Sequence, residues 1–330
     1  MKKAVSILMI ALLVLAATAC ASPSATPSDS AQGDHVYRVA MIANAPIDDG
    51  GWNAACYAGM KGAAEIYGFE TSYSESVAES DYVSTFTEYA NMGVDLIFAP
   101  GNEFTDAVLE VAPNFPDVNF VILNGDVSGD NCSSIKCDNT QLGFLAGILA
   151  GLKTKTNHVG LVGGMEITPA LQSVDGFEQG VAYTNPDAQI HVTWSNSWDD
   201  AALGKEIATS MITTNDVDVF FGLASAVDAG VREGAMQFEN RYAIAQPSDY
   251  LSQAPNMILS SVVTDNVALI GMAMKQVKEG TFGGTVVQGG VADGVLSLGA
   301  FGTAADDIKD KAMQIFEDLR SGKIKVEYNA

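Results

Sequence analysis

The residues best placed to do chemistry crowd one short stretch, VAMIANAPIDDGGWN, which runs from Val39 to Asn53. Asp48 and Asp49 stand side by side, and an acid pair can serve acid–base work or hold a metal ion. Either role needs company. No nucleophile–base set accompanies them and no glycine-rich phosphate loop is present. His35, His158 and His191 are scattered without metal-ligand spacing. Two loop carboxylates can instead accept hydrogen bonds from neighbouring backbone amides, and that is the reading adopted. We therefore expect no enzyme, no metal and no cofactor.

The elements around this stretch say what it is for. Val39 to Ala43 is an apolar run of strand length. Asn44 to Gly51, with Pro, two Asp and two Gly, is loop chemistry. From Trp52 the period changes: Trp52, Ala55, Cys56, Gly59, Met60, Ala63, Ala64 and Tyr67 share one face of a helix. Strand, polar loop and helix form the first unit of an α/β sheet, and such sheets bind ligands outside the carboxyl ends of their strands. Further strands are expected over 69–75, 95–99 and 118–123, separated by helices. The run GFLAGILAGL, from Gly143 to Leu152, reads as a buried, closely packed helix. A second alternation follows, with strands over 158–162, 190–194, 217–221, 242–245 and 257–263 and helices over 176–183, 201–213 and 227–238. Val267, Ile270, Gly271, Met274 and Val277 mark another helix, and short strands follow at Val286 and Val295. The last helix puts Ile308, Ala312, Ile315, Phe316 and Leu319 on one face. Two α/β runs of similar length predict two similar lobes with parallel sheets, the architecture of a hinged binding protein.

The chain has 330 residues, 48% of them hydrophobic, enough for two cores. A net charge of −23 argues against nucleic acid or an anionic membrane surface as partner. Residues 1–19 read as a signal peptide: Lys2 and Lys3 lead an apolar segment too short to span a bilayer. Ala17, Thr18 and Ala19 fit ordinary signal-peptide cleavage. They also fit an imperfect lipobox before Cys20. The Ser, Pro, Ala and Thr tract that follows makes a good tether, which favours lipidation at Cys20 and a flexible linker over 20–35. Cys132 and Cys137 lie in the polar segment NCSSIKCD, where a local disulfide and two free thiols are both open readings. Cys56 falls on the buried face of the first helix.

The opening stretch resembles the N-terminal signature of the basic membrane protein (BMP) family, extracytoplasmic substrate-binding lipoproteins of ABC transporters. Ile47, Asp48, Asp49, Trp52 and Asn53 match it. GNEFTDAV from Gly101, LGFLAGILAGLKTK from Leu142, GLVGGMEI from Gly160, GFEQGV from Gly176, the Ser197-Trp198-Asp199 step and GTFGG from Gly280 resemble other family segments in order and spacing. The resemblance implies a type I periplasmic-binding-protein fold: two Rossmann-like lobes with parallel sheets joined by a three-segment hinge. The crossings would fall near Asp138, Val263 and Gly284. That assigns 36–138 with 264–283 to the N-terminal lobe and 139–263 with 284–330 to the C-terminal lobe.

In purine-nucleoside members of the family the base lies between two aromatics, one per lobe. The matching positions are Trp52 and Phe221, and stacking contributes about 1–3 kcal/mol per base. Phe221, inside the strand VDVFF, also fits a plain core residue. The polar positions depart from the family pattern. Asn44 and Asn124 replace aspartates that bind the base, and an amide both donates and accepts where a carboxylate only accepts. Pro247 replaces a ribose-binding Asp, with Asp249 keeping the second acid, and Thr264 replaces a Lys. Ser225 and Ala226 replace a glycine pair, with Asp228 close by. The expected ligand contacts are therefore Asn44, Trp52, Asn53, Gly101, Asn102, Asn124, Phe221, Ser225, Asp228, Asp249 and Thr264. The expected ligand is flat and neutral or weakly polar, such as a nucleobase or modified nucleoside. The expected partners are that solute and an ABC permease, with a lipid anchor and a monomeric state. A ligand sensor or surface lipoprotein of the same fold is the alternative.

Overall fold

A computed structural model describes residues 35–48 and 52–329. The chain opens as alternating β and α units: β1 (Tyr37–Ile42), α1 (Trp52–Tyr67), β2 (Phe69–Ser74), α2 (Tyr82–Asn91), β3 (Leu96–Ala99), α3 (Thr105–Val111), β4 (Asn119–Leu123) and β5 (Cys132–Cys137). The alternation resumes with α4 (Asn139–Lys153), β6 (His158–Gly163), α5 (Thr168–Thr184), β7 (Gln189–Trp194), α6 (Ala201–Asn215), β8 (Val219–Leu223), α7 (Ala226–Ala235), β9 (Tyr242–Ala245) and β10 (Ile258–Thr264). The last elements are α8 (Asn266–Glu279), β11 (Val286–Gly289), β12 (Leu296–Leu298) and α9 (Lys309–Arg320).

Two six-stranded sheets result, ordered β11-β5-β4-β3-β1-β2 and β12-β10-β9-β8-β6-β7. The pairings are parallel, except that β12 runs antiparallel to β10. Read from β2 or β7 inward, both lobes follow the same doubly wound order. In each, the connections reverse direction at one place, between β1 and β3 in the first lobe and between β6 and β8 in the second. Such a switch point leaves a crevice at the carboxyl ends of the strands, where ligands of this fold class bind.

The chain passes between lobes at the carboxyl ends of β5, β10 and β11, so those edges lie at the hinge. Asp138 and Asp265 cap the helices that receive the first two passages, accepting from the amides of Gln141 (2.9 Å) and Ala268 (3.0 Å). The passages also hold one another. The Asp138 amide donates to the Gly289 carbonyl (2.8 Å), the Val291 amide to Gln141 Oε1 (3.0 Å), and the Asp265 amide to the Val295 carbonyl (2.7 Å). The third passage comes after Gly289 and not at Gly284, because β11 pairs with β5 in the first sheet.

The NCSSIKCD segment is β5, an inner strand between β4 and β11, and this removes the disulfide reading. Cys132 packs in the core on one face of the first sheet and Cys137 in the core on the other. Five residues of strand at about 3.3 Å each set them roughly 16 Å apart, where a bridge needs Cα atoms within about 7 Å. Both are free thiols. Burial pushes the Cys132 thiol up to about 11, and burial with the charge of Asp138 pushes Cys137 up to about 12. Asp49, the signal-peptide segment and Cys20 lie outside the described residues. Among those described, no helix is long and apolar enough to cross a membrane.

Candidate functional site

The first lobe's crevice is built by two loops, one leaving β1 and one leaving β3. The β1 loop is anchored at its far side by the Ile47 amide, which donates to Glu75 Oε2 (2.8 Å) at the end of β2. Trp52 begins α1 and is half-buried. Its indole N–H donates to the carbonyl of Pro100, the first residue after β3. Asn44 reaches the same place: its Nδ2 donates to Glu103 Oε1 at 2.8 Å. The Glu103 carboxylate folds back over Gly101 so closely that a Cβ there would lie 2.0 Å from Oε2. Gly101 has an extended backbone that any residue adopts, and its missing side chain leaves the room that the carboxylate occupies. Tyr82 completes the cluster. Burial, and then the negative charge of Glu103, raise its hydroxyl above the ordinary tyrosine range, while a hydrogen bond with Asn44 pulls the other way. The hydroxyl stays protonated.

Of the expected contacts in this lobe, Asn44, Trp52 and Gly101 are thus brought together. Asn102 lies beside them in the exposed turn, its carbonyl accepting from Thr105 Oγ1 (2.6 Å). Asn124 stands at the tip of β4 in a left-handed conformation (φ 60°), its amide bonded to the Ile135 carbonyl (2.7 Å). Asn53 is buried, on the same face of α1 as Cys56 and Met60. Glu103 and Tyr82 were not anticipated. The signal available was the acid within GNEF, directly after a strand that ends at the switch point.

The second lobe corrects more of the expectation. Phe221 is 0% exposed and stacks on Phe177, with ring centroids 5.8 Å apart and planes within 14°. It is a core residue, since β8 is covered on both faces and its side chains alternate between two cores. The aromatic at this lobe's crevice is Trp198, 39% exposed, after β7. It lies over Gly164, where a Cβ would meet the indole at 2.4 Å, as Trp194 lies over Gly163. The Trp198 carbonyl accepts from the Ala226 amide (2.9 Å), which ties it to the loop leaving β8. Trp198 therefore occupies the switch point between β6 and β8.

Asp228 is 5% exposed and faces inward. Its carboxylate accepts from the Ala224 amide (2.8 Å) and Gln246 Nε2 (3.5 Å), so it ties together the loops after β8 and β9. Burial pushes it up to about 7 against the opposing pull of these hydrogen bonds and of Arg232. Asp249 is exposed and accepts from the Leu251 amide (3.0 Å) and the Ala300 amide (2.9 Å). Ser225 remains exposed in the loop before α7, at φ 50°. Thr264 ends β10 at the second passage, its amide donating to the Pro247 carbonyl (2.8 Å). It is a hinge residue. Among the described residues no group of three or more His, Cys, Asp or Glu could hold a metal ion.

Two solvent-open hollows of about 370 Å³ lie elsewhere. One is bordered by Met236, Arg241 and Asn256, the other by Ala90, Asn114 and Pro116. Both sit at the amino ends of strands, the edge away from the switch points, and neither carries the site.

Comparison with known proteins gives the family. Residues 36–329 match the family model described as Bmp, ABC transporter substrate-binding protein PnrA-like. A nucleoside-binding ABC transporter protein, BmpA of Lactococcus lactis, is 27% identical over 98% of this chain and 99% of its own. The transcriptional activator protein Med of Bacillus subtilis is 26% identical, over 82% of this chain and 84% of its own. Among solved structures, a solute-binding protein of an ABC transporter system from Aeropyrum pernix superposes with a TM-score of 0.72 at 22% identity, covering 88% of this chain and 92% of that one. That likeness shows the shared fold. The matched span takes in both lobes, the hinge and both switch points, and on it the chain belongs to the PnrA-like family of ABC transporter substrate-binding proteins.

Proposed function

We propose that this protein captures a flat heterocyclic solute, a nucleoside or nucleobase-like compound, between its lobes and delivers it to an ABC permease. The observation that carries this reading is an aromatic at each switch point: Trp52, pinned by its indole N–H to Pro100, and the part-exposed Trp198. Aromatic faces bind planar rings with little regard to substituents, while the polar edge beside Trp52 reads one side of the ring. A hinge of three mutually bonded passages supports closure of one lobe on the other. The nucleoside-binding relative supports the ligand class. In the same proposal the protein acts as a monomer outside the cytoplasm, lipid-anchored through Cys20, with residues 20–35 as its tether.

Thermal unfolding of the purified protein with bases, nucleosides and sugars tests this. A ligand at one hundred times its Kd stabilises by about 2.7 kcal/mol. Bases or nucleosides should raise the midpoint and sugars should not; a panel in which no heterocycle acts would sink the reading. The activator relative favours a second reading, ligand sensing without transport. Uptake of labelled ligand by cells, lost when the protein is removed, separates the two.

A further inference from the structure

We infer that Glu103 selects ring ligands with two adjacent N–H donors on one edge, the arrangement of a 2-aminopurine edge such as that of guanine. This rests on the heterocycle reading and deepens it. Three observations converge. The carboxylate lies over Gly101, next to the Pro100 carbonyl that pins the Trp52 indole, so it borders a ring stacked on that indole. Asn44 donates its amide to Oε1 alone, leaving Oε2 as an acceptor. No cation pairs with Glu103 among the described residues. Asn44 uses an amide N–H on Glu103, and the carboxylate itself stays an acceptor at the crevice edge.

A carboxylate accepts and cannot donate; Oε1 keeps a second lone pair beside its Asn44 bond, so with Oε2 it can still meet two parallel N–H groups. A ring edge that places a carbonyl next to one N–H would set lone pair against lone pair. Guanine and hypoxanthine differ only by the exocyclic 2-amino group, as do guanosine and inosine, so each pair isolates the donor that Glu103 would read. A site built around such a hydrogen bond rejects the analogue that leaves it unpaired.

The test is calorimetric titration of the purified protein and its Glu103→Gln variant with guanine, hypoxanthine and their nucleosides. Glutamine keeps an oxygen for Asn44 but puts an N–H donor where Oε2 stands, and Glu103 is exposed, so the fold is preserved; its thermal midpoint without ligand checks that. The wild-type protein should bind the 2-amino member of a pair about tenfold or more tightly, and E103Q should lose that preference chiefly by weakening the 2-amino ligand. Equal wild-type affinities within each pair, or a preference that survives in E103Q, would overturn the role of Glu103 while leaving the heterocycle reading in place. If neither member of either pair binds the wild-type protein but other rings do, the edge assignment falls alone. If no ring binds at all, the underlying reading falls with it.

Discussion

Trp52 cannot turn away from its crevice, because the Pro100 carbonyl holds its indole N–H. A stacking face fixed before the ligand arrives costs no side-chain ordering at binding. Trp52→Ala should therefore weaken a bound heterocycle by about 1–3 kcal/mol, roughly 5- to 150-fold in Kd. Trp52→Phe should recover most of that loss, since it keeps a ring and gives up only the anchor. Titration of the two variants decides the matter, and equal losses for Ala and Phe would mean that the anchor matters and the ring does not. At this scale the sequence was legible where neighbours in space are also near a strand end: Asn44, Trp52 and Gly101 meet as their positions after β1 and β3 imply. It was not legible where the deciding fact is what an acid touches. Asp228 and Asp249 read as ligand contacts, and only the structure shows that the Ala224, Leu251 and Ala300 amides bond to them. Glu103 looks like an ordinary loop charge until Gly101 makes room for it.

Helices α4 and α5 show what element-scale reading can and cannot reach. GFLAGILAGL announces close packing, but it does not say against what. The partner is GFEQG in α5. A Cβ on Gly143 would lie 1.9 Å from the Ser173 carbonyl oxygen, and one on Gly176 would lie 2.0 Å from that of Thr140. The two backbones approach where both chains lack side chains, and nothing flexible stands between them to yield. Gly143→Ala should cost about 1–3 kcal/mol or more as overpacking. Urea unfolding should register this as a lower midpoint at unchanged slope, and an unchanged midpoint would mean that the helices separate freely. The element not foreseen was β5. Ser133, Ser134 and Lys136 make its sequence polar, yet both serines are fully buried. Ser134 donates to the Val127 carbonyl (2.6 Å) and accepts from the Val127 amide (3.1 Å), so a polar residue sits in an inner strand with its hydrogen bonds met locally. Phe221 illustrates the same limit from the apolar side: in a strand covered on both faces, alternation carries no information about which face meets a ligand.

At the scale of the molecule, stability near neutral pH is set by groups that titrate differently in the folded chain, and two of them oppose one another. Burial keeps Asp228 protonated up to about pH 7 in the folded protein, while in the unfolded chain it ionises near the ordinary Asp value of about 3.9. The folded state thus holds the extra proton between those values. Its contribution is fully present below about pH 4 and is lost as pH rises to about 7, at up to about 1.4 kcal/mol per pH unit. His191 has the opposite sign. Burial, and then the neighbouring His158 at 3.0 Å, lower it, so its contribution is lost as pH falls below the ordinary imidazole value of about 6.5. Between pH 5 and 7 the wild-type profile is partly flattened by this cancellation, which makes the whole-protein curve a poor probe of either group. Comparison with Asp228→Asn separates them, because Asn cannot ionise and His191 is common to both proteins. The stability of D228N relative to wild type should rise with pH from 5 to 7, by about 1.4 kcal/mol per unit at most, and level off above pH 7. Urea unfolding of both proteins at pH 5, 6, 7 and 8 measures it. A difference that does not change with pH would mean that Asp228 ionises in the folded protein as it does in the unfolded one, and that the loops after β8 and β9 enclose a charge instead of a neutral acid.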